Sequence, residues 1–217
     1  PDSPEAEAAL FPLGYILYAD RSAEARAEQP THALGEGTER PSPVLDPVER
    51  AEVVWLALVC PERAPDPLAA SVSWDCPGQS AGPSGRGCAA QLEPCRSRPV
   101  SSETQFDAWL GLGEIWFDGL VDGGSLDRAR FAYERALDAS PTHANAVAAS
   151  YKLAWSWYRM DEPARALEAF AVLANPAEQV EARYAVFVDE ALQYMAIIAV
   201  DDDWDLDGVP DPQLDLA

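Results

Sequence analysis

Ala108–Pro141 reads AWLGLGEIWFDGLVDGGSLDRARFAYERALDASP, and Ser150–Pro176 reads SYKLAWSWYRMDEPARALEAFAVLANP. Each stretch is an apolar segment with helical spacing, a polar break, and a second such segment that runs out at Ser140-Pro141 or Asn175-Pro176. Laid over one another, the two agree by residue type. Leu112-Gly113 answers Leu153-Ala154, Trp116 answers Trp157, Ala129 answers Ala166, Tyr133 answers Phe170, and Ala136 answers Leu173. The offset is 41 residues on the first helices and 37 on the second, so the first half is four residues longer, in LVDGGS. Self-similarity at such a period marks a helical repeat array. The small residues Gly113, Ala129, Ala154 and Ala166 fall where the two helices of a hairpin must approach closely, and the aromatics fill the gaps between them.

This pattern resembles the tetratricopeptide repeat: Trp, Leu-Gly and an aromatic on helix A, then Ala, an aromatic, Ala and a closing Pro on helix B. The first half carries Trp109, Leu112, Gly113, Trp116, Ala129, Tyr133, Ala136 and Pro141 at those places. The second departs at Ser150 and Leu173. The resemblance implies an all-α fold in which tetratricopeptide-type hairpins stack as a short right-handed solenoid, here interrupted by a long cysteine-containing loop. It also implies that helix-A faces line a concave groove for peptides or partner domains. The groove-facing positions would be Asp107, Leu110, Glu114, Phe117 and Asp118 in the first unit. In the second they would be Ala148, Tyr151, Trp155, Tyr158 and Arg159. Tyr151, Trp155 and Tyr158 with Arg159 are hot-spot residue types; the competing reading is that these rings pack under the next repeat or the cysteine loop.

Outward from these core repeats (105–176), the N-terminal residues 1–60 read as a degenerate first repeat split by a long loop at 19–46. Ser3, Pro4 and the acids after them are helix-start signals, and Pro12 is expected to kink that helix. Leu10, Leu13, Gly14 and Leu17 match helix-A places, while Ala51, Trp55 and Leu58 keep the spacing of Ala129, Tyr133 and Ala136. Asp46-Pro47 starts the second helix. A buried strand is the alternative for VVWLALVC, since a short apolar run cannot be assigned by periodicity alone.

Residues 61–104 read as a loop insertion rich in Pro, Gly and Ser, with weak strand signals in LAASVSWDC. With Cys60 at its edge, it holds Cys76, Cys88 and Cys95. A loop this long in a compact domain calls for cross-linking or function, and an even cysteine count points to disulfides in an oxidising compartment. Three pairings are open. Zinc is the rival, but gaps of 15, 11 and 6 residues include no CxxC and no nearby histidine.

Residues 177–200 read as a helix of a further partial repeat, with Leu192, Met195 and Ala196 at helix-A places. The tail, 201–217, contains DDDWDLDGVPDPQLD. Asp203, Asp205, Asp207, the Val209 carbonyl and Asp211, with Gly208 at the sharp turn, follow the alternating-oxygen order of a calcium loop. The segment resembles thrombospondin type 3 and EF-hand-like loops, but Leu214 stands at the closing position and Asp215 comes one place late. An incomplete cage implies weak Ca2+ affinity, in the roughly 10⁻⁴–10⁻³ M range of extracellular modules. A solvated acidic tail is the alternative.

The chain of 217 residues carries 37 acidic and 15 basic residues, with Lys152 its one lysine. A formal net charge of -22 argues against nucleic acid or anionic membrane partners. It favours basic peptides or cations, or simply confers solubility in a salty habitat. No stretch of about 20 apolar residues offers a membrane span. The start at Pro1 reads as a mature form or a fragment of a longer chain. His32 and His143 lie in no nucleophile motif, and GQSAGPSGRG lacks a phosphate-loop lysine. The expectation is a non-enzymatic scaffold in a bacterial envelope, the periplasm or the extracellular space, binding another protein or peptide. A structural or calcium-stiffened junction domain of an extracellular protein is the alternative. An accessory or regulatory domain of an enzyme whose catalytic part lies outside this chain is a second one. Oligomeric state is not legible.

Overall fold

A computed structural model describes Gly14 and residues 47–64, 87–121, 125–174 and 185–200. Every regular element among them is helical. The α-helices are α1 (Pro47–Val59), α2 (Ser102–Phe117), α3 (Leu126–Ala139), α4 (Ala146–Arg159), α5 (Pro163–Leu173) and α6 (Ala185–Val200), with a 3-10 turn at Cys88–Gln91. VVWLALVC is therefore helical as far as Val59. The strand signals in LAASVSWDC, the helix expected at 3–18 apart from Gly14, the loop at 19–46 and the calcium-like tail lie outside the described residues.

Local chemistry sets the boundaries. Ser101 and Ser125 cap α2 and α3, their hydroxyls accepting from the amides of Thr104 and Arg128; such a cap contributes about 1 kcal/mol. Glu162 occupies the N-cap of α5 and Pro163 its first turn, while Asp161 takes a positive φ of 57° in the turn before it.

Each helix packs on the one before and the one after, from α1 through α6. One core joins α1, α2 and α3 around Trp55, Phe106, Trp109, Trp116 and Tyr133. A second joins α4, α5 and α6 around Ala154, Trp157, Phe170, Ala191 and Ile198. Phe117 and Leu153 touch both.

Glycines permit the closest approaches. A Cβ on Gly113 would meet Tyr133 Cε1 at 2.6 Å, so only glycine lets α3 lie so near α2. Trp55 repeats this relation with Gly14, which is helical and buried. Its other side presses on Gly111, where a Cβ would stand 2.6 Å from the indole ring.

The cysteine insertion is stapled to this core. Cys60, just past α1, is bonded to Cys95. Cys88 is also disulfide-bonded. Asp127 at the start of α3 accepts the buried Ala89 amide at 2.9 Å, and Arg98 donates to the Ala57 carbonyl at 2.8 Å. Beneath lies a buried polar network. Trp116 Nε1 donates to Glu52 at 2.7 Å, and the fully buried Arg128 feels the charges of both Glu52 and Asp127. Burial presses the Arg128 pKa down to about 10, against the pull of those two carboxylates.

Candidate interaction surface

The C-terminal end of α2 meets α4 at a seam centred on Phe117. The ring is half-buried and stands edge-on to Tyr133, with centroids 6.3 Å apart. Two cations lie over it: Lys152 Nζ at 4.5 Å and the Arg159 guanidinium at 4.6 Å from the centroid. Arg159 also donates to the Phe117 carbonyl at 3.3 Å. That carbonyl belongs to the last turn of α2, where unpaired acceptors and the negative end of the helix dipole favour a cation.

Glu114, one turn earlier, ties the seam together. One carboxylate oxygen accepts the Tyr133 hydroxyl at 2.8 Å; the other pairs with Lys152 at 3.1 Å. Asp118 and Arg159 are exposed at the rim. In a strongly acidic chain, this seam balances two cations against two anions around an aromatic ring. Ion pairs as exposed as this one are worth about 0–1 kcal/mol. Glu114, Phe117, Asp118 and Arg159 are among the groove-facing positions expected from the sequence; Lys152 and Tyr133 are not. The signal for Lys152 was its place two turns before Arg159 on the same helix.

Tyr151, Trp155 and Tyr158 sit elsewhere, in an aromatic layer between α4, α5 and α6. Tyr151 stacks on Phe187 with centroids 4.6 Å apart, and its hydroxyl donates to Glu190. Trp155 lies edge-on to Tyr194 at 4.4 Å, and Tyr158 closes on both at 5.5 and 5.7 Å. Burial first, and then the Glu190 hydrogen bond, push the Tyr151 pKa up to about 12. All three rings stay partly accessible. Phe187, Glu190 and Tyr194 were not singled out in the sequence, because periodicity shows that a face is apolar and not what covers it.

Two further features lie apart from the seam. His143 stacks on Phe106 at 4.0 Å and sets Nε2 3.5 Å from Asp107, while its Nδ1 accepts the Asn145 amide at 3.1 Å. Burial raises the Asp107 pKa, His143 lowers it and Glu103 raises it. Trp157 is held between Arg130 and Arg165, at 4.9 and 4.6 Å from its ring centre. Among the described residues no group of three or more His, Cys, Asp or Glu is placed to hold a metal. Asp203, Asp205, Asp207, Val209 and Asp211 lie outside them. No described helix is long and apolar enough to cross a membrane. No protein-family model, curated protein or solved structure matches the chain.

Proposed function

We propose that this chain is a tetratricopeptide-type scaffold that binds another protein or peptide through the α2–α4 seam. The observation that carries the reading is Phe117, partly buried and covered by Lys152 and Arg159. A ring with two cations above it, bordered by Glu114 and Asp118, suits a segment with an apolar anchor and acidic neighbours. The repeat reading draws support from the serial packing of α1 to α6 and from the matched pairs Gly113–Tyr133 and Gly14–Trp55. The right-handed solenoid and the concave groove are part of the proposal.

The Cys60–Cys95 disulfide favours an oxidising location such as a bacterial envelope, the periplasm or the extracellular space. Calcium at Asp203, Asp205, Asp207, Val209 and Asp211 belongs to the same proposal. Calorimetric titration is expected to show weak Ca2+ binding that Asp205→Ala with Asp207→Ala abolishes. Equal heats from both proteins would end the calcium claim.

The seam is tested by Phe117→Ala combined with Arg159→Glu, in a protein whose circular dichroism and thermal transition match the parent. The variant is expected to lose a partner that the parent captures quantitatively from extracts of the source cells. Identical retained proteins would refute the seam as the binding surface.

A further inference from the structure

Cys60 and Cys95 are bonded across a sequence separation of 35, the widest of any two cysteines in the chain. Cys88 lies only 7 residues from Cys95. Loop closure in an unfolded chain weakens as about the 3/2 power of length. It therefore favours Cys88 over Cys60 as the partner of Cys95 by about elevenfold. The observed pairing needs structure that holds the two sulfurs together against that bias.

The 88–98 segment carries such structure on both sides of Cys95. Leu92, three residues before it, is fully buried in the core that also holds Val59 and Cys60. Arg98, three residues after it, donates its amide to the Leu58 carbonyl at 2.9 Å and its Nε to the Ala57 carbonyl at 2.8 Å. Both acceptors belong to the last turn of α1, whose carbonyls have no partner within the helix, and Cys60 follows that turn directly. Asp127 on α3 fixes the start of the segment. Arg130 holds its Oδ1 at 2.9 Å, and its Oδ2 accepts the buried Ala89 amide, also at 2.9 Å. A hydrogen bond that includes a charged group shifts an equilibrium by about ten- to hundredfold. Two of them outweigh a bias of about elevenfold.

We infer that Asp127 and Arg98 dock the 88–98 segment on α3 and α1 without covalent help, and so select the Cys60–Cys95 pairing. The disulfide is the product of docking and not its cause. Oxidation joins the two sulfurs with loss of two protons and two electrons, which oxidised glutathione takes up in becoming two reduced molecules. This device is separate from the Phe117 seam and does not depend on it.

The test is oxidative refolding of the full 217-residue chain in a glutathione buffer, with disulfide-linked peptides quantified by mass spectrometry after an acid quench. The parent is expected to recover Cys60–Cys95 in native buffer and to favour the shorter loops in concentrated urea. Asp127→Ala with Arg98→Met is expected to lower the ratio of Cys60–Cys95 to Cys88–Cys95 by about tenfold or more in native buffer. Gly113→Ala, which destabilises the contact of α2 with α3 and touches neither bond, is expected to keep the parent's pairing. Equal pairing by the double variant and the parent overturns the inference, as does equal scrambling by Gly113→Ala. Dominance of Cys60–Cys95 in concentrated urea overturns it too. A second measurement does not depend on how the double variant folds. In Cys60→Ala with Cys95→Ala, at unchanged helical circular dichroism, the Ala89 and Arg98 amides are expected to stay protected from hydrogen exchange. Exchange at the unprotected rate would show that the disulfide does the docking, and would overturn the inference.

Discussion

Replacing Gly113 by alanine adds one methyl group to α2, at the point where α3 comes nearest. The new carbon would stand 2.6 Å from Tyr133 Cε1 and 2.9 Å from Cδ1 and Cζ. Ordinary carbon contacts lie near 3.5–4.0 Å, so the ring must retreat by about 1 Å. It has nowhere to go: Tyr133 is fully buried, and its hydroxyl is committed to Glu114 at 2.8 Å. Overpacking of this kind costs about 1–3 kcal/mol, and disrupting a hydrogen bond to a charged group costs about 1.5–3 kcal/mol. Against this, alanine is the better helix former by about 1 kcal/mol. The net expectation is a loss of about 1.5–5 kcal/mol, read from urea unfolding followed by helical circular dichroism. In a Tyr133→Val background the obstructing ring atoms are gone, and Gly113→Ala is expected to be neutral or to stabilise by up to about 1 kcal/mol. A stabilising Gly113→Ala in the parent would refute the close approach of α2 and α3.

Three further outcomes follow from the same geometry. Arg128→Met removes the buried cation facing Glu52, while Asp127 keeps Arg130 at 2.9 Å, and is expected to cost about 3–5 kcal/mol; adding Glu52→Gln recovers part of that loss, which a thermal denaturation series would read. The Tyr151 pKa rises from 10.0 to about 12 on folding, so its contribution to stability is complete below pH 10 and lost as pH climbs to about 12. Tyr151→Phe is expected to flatten the stability–pH curve in that window, and an unchanged curve would contradict the packing of α6 on α4. Cys60 and Cys95 close a loop across a sequence separation of 35. Cys60→Ala with Cys95→Ala is therefore expected to lower stability by about 4 kcal/mol in the chain-entropy estimate, measured by urea unfolding without reductant.

The hairpins were legible because their causes are local. Asp46-Pro47 announces a helix start, and Gly14 and Trp55 hold the repeat places that Gly113 and Tyr133 hold in the next unit. The helical state of Pro47–Val59 came from the same spacing, despite its valines. What was not legible depends on distant residues. Glu52 meets Trp116 and Arg128 across breaks in the chain that leave no period to read. Four cysteines allow three pairings, and only folding brings Cys60 beside Cys95. At the candidate surface, sequence placed Glu114, Phe117, Asp118 and Arg159 on helix faces. It could not show that Lys152 would bridge Glu114 and cover Phe117, because cation–π and ion-pair partners are chosen by the angle at which α2 and α4 meet. Nor could it show that Phe187 and Tyr194 would take up much of the Tyr151–Trp155 face.

The central claim is that the seam around Phe117 is where this scaffold holds its partner. Quantitative affinity capture, comparing the parent with a folded Phe117→Ala/Arg159→Glu variant in extracts of the source cells, tests it most directly. At least one protein is expected to be retained by the parent above background and lost by the variant. Retention of the same proteins in the same amounts by both would contradict it.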